Sequence, residues 1–441
     1  RNYLLRCGMD HLLEVDRKQE AEQLLLDLDH LYAMNQQGVE EIPIYRYWER
    51  LGGENRAMQY LDSVEKTLQR QGDEDIFQKV DLVSDLAGTA YWTKISVPLA
   101  KKILVARKNK LGPDHPDVAT SYNNLGLAYQ DKEDYDRGIE YHEKALKIRL
   151  EKLGHDHLDI ANSYNSLGVA FDNKGKYDQA IEYFEKCLEI ALVELMHDDP
   201  FIAGIYNNFG LAYKNKGDYD RAMYFQEKCL KIRIDKLGHE HTDVAWSYHN
   251  LGLTYFHKKD YDISAENDYK ALKILNSKLG PDHPAIARLY YGLGLSYKNQ
   301  GAYDRAIEYF DKSTKIKLEK LGHEHKDIAD LFFNFGIVYY KIGAYQVSIE
   351  YYEKCLKIDL LKLGPDHPEI SETYNKLGEA HYSNLQQVQA QEYKAMAKWA
   401  ELRSQGQFSE NVDPKAFEKE VGIPYSRAIE IEEALKAGNS A

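Results

Sequence analysis

The sequence predicts an all-α chain: a right-handed superhelical solenoid of stacked helix pairs, preceded by a helical N-terminal segment. Three observations carry this. Leu-Gly or a near match returns every 42 residues, at Leu111-Gly112, Leu153-Gly154, Leu195-Met196, Leu237-Gly238, Leu279-Gly280, Leu321-Gly322 and Leu363-Gly364. Self-similarity at such a period marks a stacked-repeat architecture. Within each copy apolar residues follow three-and-four spacing, as at Tyr122, Leu125, Ala128 and Tyr129, which is one face of a helix. Each copy is also too short to bury its apolar face alone, so neighbours must stack.

Taken in order, residues 1–75 stand outside the period. His11-Leu12-Leu13-Glu14-Val15, the run from Glu20 to Leu31, and Tyr45-Arg46-Tyr47-Trp48-Glu49-Arg50-Leu51 read as short amphipathic helices. Residues 76–110 read as a degenerate first repeat, because Val97, Leu99, Ile103 and Leu104 fall where a second helix belongs. Residues 111–403 hold seven 42-residue repeats. Each first helix carries a glycine at its middle, at Gly126, Gly168, Gly210, Gly252, Gly294, Gly336 and Gly378. Glycine there costs about 1 kcal/mol against alanine, so close approach of the partner helix is expected. A Lys-Gly-x-Tyr-Asp turn, as at Lys174-Gly175-Lys176-Tyr177-Asp178, ends the first helix and starts the second. Glycine supplies the turn, and aspartate favours a helix N-terminus. The linker Leu-Gly-Pro-Asp-His-Pro (111–116, 279–284, 363–368) then turns the chain, its second proline suited to the first position of the next helix. Residues 404–441 lose the period, are interrupted by Pro414 and Pro424, and read as a polar cap and tail, as an open solenoid end requires.

Composition excludes several functions. Hydrophobic residues are 43% of the 441, too many for general disorder. The net charge of −14 leaves no basic excess to neutralise phosphates, so nucleic acid is not an expected partner. No apolar run approaches the roughly 18 residues of a membrane span. The start at Arg1-Asn2-Tyr3-Leu4-Leu5 is neither an initiator methionine nor a signal peptide, and the chain is expected to be a piece of a longer cytoplasmic protein.

Of the four cysteines, Cys187, Cys229 and Cys355 share one repeat position with Ala145 and Ala271. Alternation of cysteine and alanine marks a small buried packing site. Packed helices about 8–10 Å apart exceed the roughly 7 Å limit for a disulfide, so reduced, buried thiols are expected. Histidine pairs recur at His155/His157, His239/His241 and His323/His325, matching the single histidines His115, His283 and His367. They sit in linkers beside Asp or Glu, and the expected role is to cap the following helix; no metal site is expected. No nucleophile–base pair and no Gly-x-x-x-x-Gly-Lys-Ser/Thr loop stands out, so neither catalysis nor a cofactor is expected.

The pattern Tyr-Asn-x-Leu-Gly-x-Ala-Tyr, Gly-x-Tyr-Asp-x-Ala and Glu-Lys-Cys-Leu-Lys-Ile resembles the tetratricopeptide repeat. With its 42-residue period and Leu-Gly-Pro-Asp-His-Pro-Asp-Val-Ala linker it is similar to the subclass found in kinesin light chain and nephrocystin-type proteins. The N-terminal helices resemble the segment between the ATPase core and the repeat sensor of STAND (NACHT or NB-ARC) signalling ATPases. The resemblance implies a non-catalytic scaffold that binds a protein or peptide segment in a concave groove lined by first helices.

Mapped by that resemblance and supported by helical spacing, one groove row reads Asn123, Asn165, Asn207, His249, Tyr291, Phe333 and Asn375. A second reads Gln130, Asp172, Lys214, Phe256, Lys298, Tyr340 and Tyr382. A third reads Thr120, Asn162, Gly204, Trp246, Arg288, Asp330 and Glu372. The amides of the first three repeats suit an extended peptide backbone. The middle repeats place Trp246, His249, Phe256, Tyr291, Phe333 and Tyr340 beside Lys214, Arg288, Lys298 and Lys341, a combination typical of binding hot spots. The expected ligand is a segment with an apolar or aromatic anchor flanked by carboxylates, and the expected role is the ligand-sensing region of a STAND-type ATPase. The missing ATPase is also an expected intramolecular occupant of the groove. The alternative is a kinesin-light-chain-like cargo adaptor, for which the sequence lacks sustained heptads ahead of the array.

Overall fold

The computed structural model describes residues 60–68, 76, 77, 79, 81, 93–406 and 413–437. The helices expected between residues 11 and 51, and the tail at 438–441, lie outside them. Every regular element among the described residues is an α-helix. α1 (Tyr60–Leu68) and α2 (Thr93–Leu111) precede the periodic part. Seven pairs follow: α3 (Pro116–Gln130) with α4 (Tyr135–Leu153), α5 (Leu158–Asn173) with α6 (Tyr177–Glu194), α7 (Pro200–Lys216) with α8 (Tyr219–Leu237), and α9 (Thr242–His257) with α10 (Tyr261–Leu279). The last three are α11 (Pro284–Gln300) with α12 (Tyr303–Leu321), α13 (Lys326–Lys341) with α14 (Tyr345–Lys362), and α15 (Pro368–Ser383) with α16 (Gln387–Ser404). α17 (Pro414–Val421) and α18 (Tyr425–Ala437) follow them.

The first helices all start by one device. Nδ1 of His115, His157, His241, His283 and His325 accepts the N–H two residues on, at 3.1 Å in each case. His367 does so at 3.4 Å, and Asp199 replaces histidine in the third repeat, accepting from the Phe201 N–H at 2.8 Å. The recurrent linker histidines are helix caps, satisfying a donor the helix itself leaves open. Pro116, Pro200, Pro284 and Pro368 occupy the first helical turn beside them. Pro414 opens α17 in the same way and Pro424 directly precedes α18. These two prolines therefore begin helices, where their missing N–H costs nothing, and do not merely interrupt the chain.

Every pair but the fourth is held by two layers of contact. The mid-helix glycine receives a side chain from sixteen residues on: a Cβ on Gly126 would sit 2.6 Å from the His142 ring, on Gly168 2.4 Å from Phe184, on Gly294 2.4 Å from Phe310 and on Gly336 2.5 Å from Tyr352. Close approach is thus real, but at these four positions the space is taken by a ring of the partner helix, not by its backbone. Beside it an aromatic ladder joins the two helices, with Tyr129 stacked on Tyr141 at 5.4 Å, Phe171 on Tyr183 at 5.3 Å, Tyr213 on Phe225 at 5.6 Å, Tyr297 on Tyr309 at 5.6 Å and Tyr339 on Tyr351 at 5.3 Å. Cys187, Cys229 and Cys355 are buried free thiols, alongside buried Ala145 and Ala271; burial pushes the Cys187 thiol up to about 12.

The chain forms two compact units, residues 1–232 and 233–441. In the first, Ile160, Leu167, Phe184, Ile202 and Phe209 form a continuous core across α5, α6 and α7, and α2 buries Leu99 and Ile103. In the second, α17 and α18 close the last pairs through Phe417, Ile431 and Leu435. Phe417 meets Trp399 edge-on at 5.2 Å, and Arg403 pairs with the buried Glu432 at 3.1 Å. No helix among the described residues is long and apolar enough to cross a membrane.

Candidate functional site

The predicted rows fall on the first helices, and the structure shows how far each side chain is already committed. In the first unit the amides are engaged. Asn123 Oδ1 accepts from His142 Nδ1–H at 2.8 Å, and Gln130 Nε2–H donates to His142 Nε2 at 2.7 Å. The imidazole is fully buried and neutral: burial, with the Arg149 charge nearby, lowers its pKa from 6.5 to about 4. Asn208 Nδ2–H donates to Asn165 Oδ1 at 2.9 Å, Asn215 Nδ2–H to Asp172 at 3.2 Å and Asn173 Nδ2–H to Gln130 at 3.3 Å. Asn207 Nδ2–H reaches Asn208 Oδ1 at 3.5 Å. The amides expected to face a peptide backbone thus already have partners within the chain. Positions 43 apart on adjacent first helices face each other closely enough to bond, so Asn165 and Gln130 help fasten repeat to repeat, whereas Asn123 is held within its own repeat. Lys214 is half-buried, its ammonium pKa lowered by burial against the pull of Asp172.

The second unit holds a cleft of about 580 Å³ lined by Trp246, Pro284, Ala285, Arg288, Tyr291, Ile316, Lys317, Lys320, Leu321, His325, Asp327 and Asp330. Three predicted residues converge on it: Trp246 from α9, and Arg288 and Tyr291 from α11. Tyr291 is fixed from behind, its hydroxyl accepting from Asn334 Nδ2–H at 3.1 Å, and burial pushes its pKa up to about 12. The Lys317 ammonium lies 5.1 Å from the Tyr291 ring centre and pairs with Asp327 at 2.7 Å. Burial raises the pKa of the half-buried Asp330 carboxyl above its ordinary value. Arg288 and Lys320 are exposed, so the cleft pairs an apolar and aromatic floor with two cations open to solvent.

The remaining predicted residues do not line this cleft. His249 is 4% exposed, so it is not a surface contact: its ring meets Trp246 edge-on at 5.8 Å, and Nδ1–H donates to Asp268 Oδ1 at 2.8 Å. Phe256 packs on Tyr261 at 5.4 Å, Phe333 on Tyr352 at 5.6 Å and Tyr340 on Tyr345 at 5.4 Å. Lys298 Nζ donates to Asn334 Oδ1 at 2.7 Å, and Lys341 is exposed.

Sequence reasoning missed Lys317, Lys320 and Asp327 because it sought the lining on first helices only. A signal was present. Position 317 corresponds to Arg149 and Arg233, which bond Ser163 and Ser247 of the following repeat at 2.7 and 2.8 Å. Opposite Lys317 that serine is Leu331, so the amine has no hydroxyl to meet and turns to Asp327.

With the geometry in hand, comparison with known proteins is informative about family. The profile of the tetratricopeptide repeat matches residues 117–192, 201–266, 248–319, 293–361 and 327–397, together more than half of the chain. A STAND signal-transduction ATPase with a tetratricopeptide repeat sensor, from Pyrococcus horikoshii, is similar at 14% identity over 87% of this chain and 63% of that one, with a TM-score of 0.55. The nearly identical TPR-like repeats of a kinesin light chain from Podosopora anserina match at 22% identity over 47% of this chain and 98% of that one, with a TM-score of 0.42. No curated protein matches.

Proposed function

Because this chain belongs to the tetratricopeptide repeat family, whose arrays generally hold protein partners, we propose that it is a binding scaffold whose second unit receives a partner segment in the Trp246–Arg288–Tyr291 cleft. One observation carries this: aromatic area and two solvent-open cations meet in one concavity on an otherwise acidic chain. Aromatic and arginine side chains supply most of the energy in such contacts, and complementary charge sets orientation and speed of encounter. The segment that fits has an apolar or aromatic anchor for Trp246 and Tyr291 and a carboxylate beside it for Arg288 and Lys320. Asp327 pairs with Lys317 and also attracts Arg288, so it offsets part of that charge and leaves Lys320 the more open cation. Catalysis forms no part of this reading.

We further propose that the array is the sensing region of a STAND-type signalling ATPase. Support comes from the amphipathic helices read in residues 1–75 and from the likeness of fold to the Pyrococcus horikoshii protein. Coding sequence upstream of Arg1 discriminates: a phosphate-binding loop there supports the sensor reading, and sustained heptads would favour the cargo adaptor.

The binding reading is tested by selecting peptides from a random display library on the chain, then measuring their affinity for Arg288→Glu with Lys320→Glu. Both residues are exposed, so the variant should fold. The selected peptides should carry an aromatic next to Asp or Glu and lose at least tenfold in affinity, about 1.4 kcal/mol. Selected peptides that bind the folded variant unchanged would place the site elsewhere.

A further inference from the structure

Repeat four breaks the packing rule its sisters obey. The ladder ring at Tyr141, Tyr183, Phe225, Tyr309, Tyr351 and Tyr393 is Asn267 here, and the side chain over the mid-helix glycine is Asp268. Ser264 and Thr254 stand where alanine is commonest. All four are buried, with His249. They are not left unsatisfied: Asn267 Nδ2–H donates to the Ile263 carbonyl at 2.8 Å, Thr254 Oγ1–H to the Asn250 carbonyl at 3.1 Å, Ser264 and Ser296 hydroxyls share a bond at 3.1 Å, and His249 bonds Asp268 at 2.8 Å. A satisfied polar core of this kind is still no more stable than apolar residues of the same shape. Departures from local packing rules concentrate at functional positions.

The neighbours of the pair say what it does. Asp268 Oδ2 occupies the place a Cβ on Gly292 would take, 2.6 Å away, so the carboxylate is wedged against α11 one residue from Tyr291. Its other oxygen holds His249, whose ring supports Trp246 edge-on. We infer that His249 and Asp268 are positioning residues that set Trp246 against the α11 wall of the cleft, and that repeat four forgoes an apolar core in order to carry them. This rests on the partner-binding reading of the same cleft. A hydrogen bond from α9 to α10, whose carboxylate in turn abuts α11 at Gly292, sets the separation of Trp246 from Arg288 and Tyr291 more firmly than ring packing alone, because a hydrogen bond specifies direction as well as contact.

The experiment uses the Trp246→Phe variant to isolate the emission and acrylamide quenching of Trp246. Three variants are then compared: Asp268→Asn, Asp268→Ala, and His249→Tyr with Asp268→Phe, the pair found at Tyr291 and Phe310 in the next repeat. Asp268→Asn keeps an acceptor for Nδ1–H and should retain both the Trp246 signal and the affinity for the display-selected peptides. Asp268→Ala and the double exchange should alter Trp246 quenching and weaken those peptides about three- to thirtyfold. The double exchange should also unfold at equal or higher denaturant, since apolar replacement of a buried pair is neutral or stabilising. Wild-type Trp246 quenching in the double exchange, or equal behaviour of Asp268→Ala and Asp268→Asn, overturns the inference. Should the Arg288→Glu, Lys320→Glu variant bind normally, the cleft reading fails instead, and Trp246 quenching alone still decides whether the pair positions that ring.

Discussion

A guanidinium nitrogen of Arg149 on α4 donates to Ser163 Oγ at 2.7 Å and to the Asp159 carbonyl at 3.0 Å, both on α5 of the following repeat. The same fourteen-residue relation joins Arg107 to Ser121 at 2.9 Å and Arg233 to Ser247 at 2.8 Å. Where the arginine position is Ala191 or Leu275, the serine position is Ile205 or Leu289, and all four side chains are buried. In these five pairs the two positions change together, because a guanidinium buried against an aliphatic side chain would lose its hydrogen bonds without replacement; Lys317, opposite Leu331, finds Asp327 instead.

Arg149→Ala should therefore destabilise the first unit by roughly 1–3 kcal/mol, the usual cost of stranding buried polar partners. Adding Ser163→Ile, which copies the Ala191–Ile205 pair, should recover most of it. A double-mutant cycle read from urea midpoints checks this; additive effects would show that the pair is not coupled.

His142 gives the first unit an acid-sensitive element. Its folded pKa is about 4 against an ordinary 6.5, so between those values the unfolded state holds the extra proton. Stability is complete above pH 6.5 and falls as pH drops towards 4, by at most about 3 kcal/mol. His142→Phe, copying Phe184 and Phe310, should flatten that part of the pH dependence. Parallel urea titrations at pH 7 and pH 4.5 measure it, and an identical pH slope in the variant would contradict it.

The linker histidines act through one acceptor atom. His241→Ala should cost roughly 0.5–2 kcal/mol, as loss of an N-cap does. His241→Asp, which reproduces Asp199, should be close to neutral. Equal destabilisation by both substitutions, followed by thermal melting, would mean the imidazole is held for packing instead.

Gly168→Ala should destabilise by roughly 1–3 kcal/mol through overpacking, because its Cβ would lie 2.4 Å from the enclosed Phe184 ring. Gly204, on the same kind of helix with open space at its Cβ, should tolerate alanine or gain from it by about 1 kcal/mol. Reversal of that order in denaturant midpoints would show that helix propensity, not ring contact, governs these glycines.

The sequence by itself determined the helix pairs, their period, the capping histidines, the helix-opening prolines and the buried cysteines. Each of these is a local or periodic property: a cap needs only the next few residues, and a packing site repeated at 42 residues announces itself by alternating Cys with Ala. The tertiary structure alone decided which groove residues already bond a neighbour within the chain. Asn123 and Asn165 looked like ligand-facing amides, but whether an amide meets a peptide or a neighbour depends on residues such as His142 and Asn208, nineteen and 43 positions away, whose approach is set by how two helices seat against each other. The cleft was half legible. Trp246, Arg288 and Tyr291 lay on the expected helix face, whereas Lys317 and Lys320 come from a second helix and Asp327 from the turn that starts the next repeat. No spacing rule within one helix connects those positions, because only the stacking of consecutive repeats brings the end of α12 beside the start of α13.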